Sequence, residues 1–320
     1  MTQKLVKEAA QVPRELMGKR FDQVAAQLFG QFSRSRLQQW IVDGVLRVDG
    51  EQRQPRYKLS GGEYLRLEAY LEDVGEWPAQ KLDFGRVYED EDILVVNKPA
   101  GLVVHPAAGN PDGTLLNGLL YYCPALRAVP RAGIVHRLDK DTSGLMVVAK
   151  NLSAQTALVE QLQAHTVSRE YEAITRGVII SGATVNAPVG RHPSHRTRMA
   201  VVKDGKPAVT HYRVAERYGH HTRLKVQLET GRTHQIRVHM SHRGYPLVGD
   251  PVYGGRARSF AGAAPELVDY LASFRRQALH AARLALNHPS SGELVSWTVP
   301  LADDIDELIT MLKRYDAPDS

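Results

Sequence analysis

The chain has 320 residues, 43% of them hydrophobic and 24% charged, which is typical of folded globular proteins and excludes a disordered polymer. At roughly 100–200 residues per domain, this length predicts about two domains. The sequence has no secretory signal pattern and no run near the roughly 18 consecutive apolar residues of a membrane span. Because it has no such run, we expect no membrane partner. Its single cysteine, Cys123, cannot form an internal disulfide, so we expect a cytoplasmic protein.

The net charge of +6 is concentrated in one segment. Residues 186–260 contain 14 Lys and Arg against 4 Asp and Glu, together with eight of the 13 histidines. Such a segment suits a polyanion such as nucleic acid, because phosphates that pair with cations release their counterions. Charge alone leaves a second interpretation open, in which this is simply a solvated basic face.

The N-terminal quarter predicts a small α+β module, residues 18–75, behind a flexible leader, residues 1–17. Apolar spacing and alternation predict two helices and two short strands, over 21–29, 33–44, 45–48 and 64–67. Arg34 and Arg36 lie in the first turn of the second helix, where the helix dipole does not favour cations. We therefore predict that these two arginines contact phosphates.

The same module resembles a known RNA-binding family. The resemblance runs from Ser33-Arg34-Ser35-Arg36-Leu37 to Val48-Asp49-Gly50, and the family is the S4 RNA-binding domain. It implies that this part of the chain adds affinity for RNA and carries no chemistry. A linker is expected next, over residues 76–83.

The remainder, residues 84–320, predicts many strands and few helices. The predicted strands are 93–96, 145–149, 171–174, 209–214, 224–228 and 279–286. The predicted helices are 115–122, 154–162, 233–240 and 305–312. This order favours a mixed, largely antiparallel sheet with flanking helices, which places the whole chain in the α+β class.

Charged and hydroxyl residues crowd one loop, residues 133–145, between two apolar runs. Catalytic groups are often found on loops that rigid strands hold in place. A polar turn capped by Asp139 or Asp141 explains the same residues without any chemistry. The residue pattern by itself leaves both interpretations open.

Four ordered segments resemble the motifs of the RluA-type pseudouridine synthases: residues 97–106, 136–145, 169–173 and 231–239. The resemblance covers residues 84–300 and implies an isomerase that converts uridine to pseudouridine in 23S ribosomal RNA, in a large-subunit stem-loop at the subunit interface. It leaves open whether free RNA or the assembling subunit is the substrate. The reaction moves the base from an N1–C1′ to a C5–C1′ bond without oxidation or hydrolysis, so no cofactor is expected. For the oligomeric state, a monomer is the simplest expectation.

The resemblance assigns the catalytic roles to three residues. Asp139 is the nucleophile, either attacking C1′ or assisting the removal of the C2′ proton. Tyr171 stacks on the target uracil, although a core-packing tyrosine is the alternative. Arg237 is the cation that keeps Asp139 ionised when it is buried.

Further residues are expected to contact the RNA. Arg137 fills the gap left when the target base flips out of its stack. Ile236 and Leu247 are expected to form walls of the uracil pocket. His136 and Arg232 complete the candidate contacts, and Arg232 serves either a phosphate or the start of a helix.

Other functions remain as alternatives. A non-catalytic RNA-binding factor in ribosome assembly needs Asp139 only as a turn residue. An N-glycoside hydrolase needs a second carboxylate to activate water, and the motif segments offer no convincing one. Five histidines lack nearby cysteines and a His-Glu-x-x-His pattern, so we interpret them as RNA-facing donors and expect no metal: His192, His195, His234, His239 and His242.

Overall fold

The structure is a computed structural model that describes residues 4–30, 32, 34–71, 77–107, 109–195, 197–255 and 262–318. The chain divides into two compact units, Met1–Trp77 and Pro78–Ser320. Each unit has its own sheet and its own hydrophobic core.

The first unit consists of a three-stranded antiparallel sheet and two helices. Its strands are β1 (Lys4–Gln11), β2 (Leu46–Val48) and β3 (Tyr64–Leu71), in the order β1-β3-β2, and its helices are α1 (Phe21–Leu28) and α2 (Arg34–Val42). Phe21, Leu37 and Leu67 are fully buried in the core that joins the helices to the sheet. Both predicted helices are confirmed, as is the tight turn, in which Asp49 and Gly50 have φ of 48° and 82°.

The prediction of a flexible leader, residues 1–17, is wrong from residue 4 onward, and residues 1–3 lie outside the described part of the chain. Strand β1 occupies Lys4–Gln11 and pairs along its whole length with β3. Val12, which follows it, is 1% exposed in the core. The strand lies at the edge of the sheet and most of its described side chains are partly or fully exposed, so its polar composition resembles that of an unstructured leader.

The second unit is built on one nine-stranded mixed sheet. Its strands run in the order β4-β5-β6-β13-β7-β12-β11-β8, and β14 pairs with β13. They are β4 (Gly85–Glu89), β5 (Ile93–Lys98), β6 (Ser143–Ala149), β7 (Ser168–Arg176), β8 (Ala183–Asn186), β11 (Val209–Arg217), β12 (His221–Leu228), β13 (Leu279–Asn287) and β14 (Leu294–Thr298). A separate hairpin is formed by β9 (Val189–Arg191) and β10 (Met199–Val201).

Every pairing of the large sheet is antiparallel except that of β6 with β13, so the predicted mixed, largely antiparallel sheet is confirmed. All seven residues of β6 are buried, which requires cover on both faces of the sheet. The helices of this unit are α3 (Leu115–Tyr122), α4 (Leu152–Gln163), α5 (Gln235–His242), α6 (Pro265–Ser273) and α7 (Asp303–Tyr315). Helix α4 packs on β5 and β6, and α6 and α7 share a core with Ile174 of β7.

The expected linker, residues 76–83, is partly fixed to the second unit. The Asn117 side chain of α3 donates to the Pro78 carbonyl at 2.9 Å, and the Gln80 amide donates to the Asn117 carbonyl at 3.0 Å. These polar contacts to a helix are not local in sequence, so proline and glycine content does not reveal them. In the described part of the chain, no helix is long and apolar enough to cross a membrane.

The parallel seam between β6 and β13 requires a glycine. Gly144 has φ of 114°, and a Cβ atom there would lie 2.3 Å from the Ala281 carbonyl oxygen of β13. A residue with a side chain at position 144 would therefore have a disfavoured backbone conformation, and its Cβ atom would collide with the backbone of Ala281.

We expect Gly144→Ala to destabilise the fold by more than about 3 kcal/mol, because the backbone of β13 must shift. Thermal unfolding of the full chain measures the effect. Gly113→Ala is the matched control, since Gly113 has φ of 66° with open space around its Cβ position. Its cost is expected to be only about 1 kcal/mol, from backbone strain alone. Equal losses in the two variants would contradict the close approach at the seam.

Candidate active site

A cavity of about 580 Å³ lies beside the central strands of the second unit. Its wall includes the loop that precedes β6, inward-facing residues of β7, and the first turn of α5 with the segment before it. Asp139, Tyr171 and Arg237 come from these three places and all line the cavity. The fold therefore brings together three residues that are separated by up to 98 positions in the sequence.

One guanidinium holds two carboxylates in this cavity. Arg237 Nη1 donates to Asp139 Oδ2 at 2.9 Å. Its Nε and Nη2 donate to the two oxygens of Asp250, at 2.7 and 3.0 Å. Asp250 Oδ1 also accepts the backbone amides of Val252 and Tyr253. Arg237 is thus oriented by Asp250 and presents one remaining nitrogen to Asp139.

Burial by itself disfavours the charged forms of Arg237 and Asp250, but the contact between the two groups favours these charged forms more strongly. Burial acts to lower the pKa of Arg237, and the hydrogen bond and charge of Asp250, with the charge of Asp139, raise it above its usual range. Burial acts to raise the pKa of Asp250, and its bonds to Arg237 lower it. Both groups are therefore charged near neutral pH.

Asp139 keeps one oxygen for another partner. Among the described residues, its Oδ1 accepts no hydrogen bond, and the His234 Nε2 atom lies 3.9 Å away. His234 Nδ1 lies 2.8 Å from the Tyr253 hydroxyl, which accepts the Met199 amide. Burial lowers the pKa of His234, so the ring beside Asp139 is neutral.

Tyr171 lies on β7 with its ring facing the cavity and is 6% exposed. Burial raises the pKa of its phenol, and the charge of Asp139 raises it further, while Arg169 lowers it. The phenol is therefore protonated near neutral pH. It offers an aromatic face and a hydroxyl, and it does not act as a resident base.

The loop that carries Asp139 is fastened from several sides. The Thr142 amide donates to the Asp139 carbonyl at 3.1 Å, which closes a turn. Lys98, which is fully buried, donates to three backbone carbonyls, one of which belongs to Lys140. Arg276 donates to the Asp141 carbonyl at 3.1 Å while both of its other nitrogens bind Asp304. These contacts fix the backbone position of Asp139.

Of the next four residues predicted to contact RNA, three line the cavity and one does not. Arg137 is exposed at the cavity, and Ile236 is 4% exposed in its wall. Arg232 lines the cavity and donates to the Pro207 carbonyl at 2.9 Å. The prediction for Leu247 is wrong, because this residue is fully buried beside Thr175 and does not line the cavity.

Two of the predicted histidines are held by protein contacts, whereas His195 and His242 are exposed. His136 lines the cavity, but its Nε2 accepts the Val147 amide at 3.1 Å, and burial lowers its pKa to about 3. His239 is fully buried and contacts Thr210 and the Ala187 carbonyl, so the prediction that it faces RNA is wrong. In the first unit, the side chains of Arg34 and Arg36, like Ser33, lie outside the described part of the chain.

One cluster of described residues has the spacing of metal ligands. Ligand atoms of Asp90, Asp92 and His288 lie within 4.8 Å of one another, and none of them lines the cavity. Asp90 already accepts hydrogen bonds from Tyr88, His288 and two backbone amides. These hydrogen bonds explain why the three side chains lie together, and they give the cluster a structural role as a contact between loops.

Asp250, which is 3% exposed, is a site residue that the sequence motifs do not predict. Its signal was present, since it is the acidic residue of the segment Gly249-Asp250-Pro251 that follows the last motif. Because Asp250 pairs with Arg237 and not with substrate, its contribution becomes visible only when the chain has folded.

Both units of the chain are similar to known proteins. A family model described as RNA pseudouridylate synthase matches residues 92–242, and the S4 domain model matches residues 19–63. The chain is 61% identical over 310 residues to ribosomal large subunit pseudouridine synthase D of Pseudomonas aeruginosa, covering 97% of each chain. It is 53% identical to the protein of the same name in Escherichia coli, covering 96% of this chain and 95% of that one.

A solved structure is also similar. Human RNA Pseudouridylate Synthase Domain Containing 1 is 27% identical, with a TM-score of 0.54, over 76% of this chain and 99% of that one.

The Asp250 carboxylate predicts a pH-dependent contribution to stability. Its folded-state pKa is lowered, so its stabilisation is complete above the unfolded value near 4 and is lost as the pH falls through the folded value. We expect Asp250→Asn to cost on the order of 3 kcal/mol at pH 7, with a smaller difference from the wild type below about pH 4. Thermal unfolding between pH 7 and pH 3 measures this. Asp269→Asn, at an exposed carboxylate, is the control and should change stability by less than about 0.5 kcal/mol. A difference that does not depend on pH would contradict the ion pair.

Proposed function

The chain belongs to the RNA pseudouridylate synthase family, and from this premise we propose that it isomerises uridine in 23S ribosomal RNA with Asp139 as the nucleophile. The substrate proposal is supported by near full-length similarity to proteins named for the large ribosomal subunit. A stem-loop at the subunit interface is the proposed target. A ribosomal substrate implies that the enzyme works in the cytoplasm.

The observation that carries the proposal is the Asp139–Arg237 contact in the cavity wall. The reaction breaks the N1–C1′ bond, turns the base over and forms a C5–C1′ bond, and the C5 hydrogen leaves as a proton. A carboxylate oxygen is needed at the ribose, either to attack C1′ or to take the C2′ proton. Arg237 holds Oδ2 and leaves Oδ1 of Asp139 for that task.

Base flipping explains the remaining cavity residues. The uridine must leave its stack before Asp139 reaches C1′, at a cost of a few kcal/mol. Tyr171 stacks on the flipped uracil, and Ile236 contributes an apolar wall. Arg137 is exposed two residues before Asp139 and fills the vacated position in the RNA helix. His136 has its Nε2 bound to the Val147 amide, so its part is to shape the loop.

The arrangement favours isomerisation over hydrolysis of the same bond. Hydrolysis needs a second carboxylate that activates water. Among the described cavity-lining residues Asp139 is the one carboxylate, and Asp250 is occupied by Arg237. A non-catalytic RNA-binding role needs Asp139 only as a turn residue, so a substitution of Asp139 distinguishes it from catalysis.

We expect Asp139→Asn to lose turnover to the background level while the dissociation constant for RNA changes by no more than a few fold. The amide keeps the size of the side chain but has no negative charge to offer the ribose. Tritium release from in-vitro 23S RNA labelled at C5 of uridine measures turnover, and a filter-binding titration measures affinity. Asp269→Asn is the control for an exposed carboxylate and should match the wild type.

Two results would contradict the assignment. Undiminished release by Asp139→Asn would remove Asp139 from the chemistry. Release by neither protein, from naked RNA or from assembling subunits, would favour the non-catalytic role.

The first unit is proposed to add affinity through Arg34 and Arg36. Replacing both with alanine removes two phosphate contacts, so the slope of log K against log salt should become shallower by about 1.5. The modified uridine should stay the same, because phosphate contacts carry no sequence information. Binding titrations at several salt concentrations, with mapping of the modified position, measure both effects. An unchanged salt slope would exclude these two arginines from the interface.

A further inference from the structure

Arg169 is a buried cation without a counter-ion. It lies on β7 two residues before Tyr171, so both side chains leave the strand on the same face. It is 8% exposed, and its Nε has no hydrogen-bond partner. Nη2 lies 3.4 Å from the Glu229 carbonyl, and within the described ranges no carboxylate lies within 4.0 Å of the guanidinium.

The two other buried Lys and Arg side chains described in this unit have partners. Arg237 binds two carboxylates, and Lys98 donates to three backbone carbonyls, while burial lowers its pKa to about 7, so it can also lose its charge. Burying a charge without such partners is unfavourable, and a buried donor without a partner calls for an explanation. The free donors of Arg169 therefore indicate a partner that arrives with the substrate.

The position of Arg169 identifies that partner. The side chain lines the same cavity as Asp139 and Tyr171. Gly231 leaves it space, since a Cβ atom there would lie 2.8 Å from Arg169 Nη1. A phosphate would remain at the mouth, where Arg137 is exposed, whereas a base that stacks on Tyr171 lies beside Arg169.

We propose that Arg169 is a catalytic residue that donates hydrogen bonds to a carbonyl oxygen of the flipped uracil and stabilises the negative charge of the departing base. When the N1–C1′ bond breaks, its electron pair stays on the base and is delocalised over N1, O2 and O4. An electron pair of the base then forms the C5–C1′ bond and displaces the Asp139 carboxylate where it has attacked C1′. The C5 proton is released and N1 takes up a proton, so the product is an isomer of uridine. The inference rests on the proposed function, because it requires uracil at Tyr171.

Stabilisation of a charge that develops in the transition state affects rate more than binding. We therefore expect Arg169→Met in the full chain to lower the single-turnover rate of tritium release by about 10²–10³-fold at saturating enzyme. The dissociation constant for RNA should stay within about twofold. Arg169→Lys restores a positive charge and should release tritium at least about tenfold faster than Arg169→Met.

Thermal unfolding separates this role from a structural one. Methionine has a similar length and no charge, so Arg169→Met should unfold at the wild-type temperature or higher. Arg237→Met is the matched control, and it should unfold at a lower temperature because Asp250 stays buried without its partner.

Three results would overturn the proposal: a wild-type rate in Arg169→Met, a weaker dissociation constant with an unchanged rate, or a rate loss that follows a lower unfolding temperature. The second of these would make Arg169 a phosphate contact. Activity in Asp139→Asn would instead overturn the nucleophile. The Arg169→Met rate decides the present proposal in either case, because the base carries away the charge whichever group assists its departure.

Discussion

The Arg237 guanidinium is shared between two carboxylates, and the chemistry of the cavity depends on that sharing. Asp250 takes two of its nitrogens and fixes the plane of the fork, so the third nitrogen points to one oxygen of Asp139. Asp139, which is partly buried, is thus held by a fixed cation and not by a mobile counter-ion. The second oxygen remains available for a ribose, which a symmetrical pairing of both oxygens would prevent.

The fold supplies the rigidity that this arrangement requires. Asp139 lies on a loop, yet the backbone beside it is held by Lys98 and by Arg276. The parallel contact of β6 with β13 sets the distance between the loop and the strand that carries Tyr171, since β13 also pairs with β7. Gly144 permits the close approach at that seam. Small errors in position at such a site carry a large penalty in rate.

Periodicity predicted the buried elements well and the edge elements poorly. The helix at Leu115–Tyr122 and the strand at Ser143–Ala149 are apolar along their length, so local pattern and tertiary environment agree. Strand β1 has a polar sequence and is stabilised by pairing with residues some 60 positions away, which no local pattern contains. The motifs indicated Asp139, Tyr171 and Arg237, which line one cavity. Leu247 follows the last motif and packs in the interior, because resemblance marks a segment and not the direction of each side chain.

Charge balance separates the roles of the two buried arginines. Arg237, Asp139 and Asp250 together carry one net negative charge, which suits a nucleophile that must approach an electron-poor ribose carbon. Arg169 is positive and has no carboxylate of its own in the described part of the chain, which suits a base that becomes electron-rich as it leaves. When a glycosidic bond breaks in this way, the sugar becomes electron-poor and the base becomes electron-rich. In the proposed mechanism the cavity holds a fixed anion for the sugar and a fixed cation for the base, and such an arrangement stabilises the transition state more than the neutral uridine.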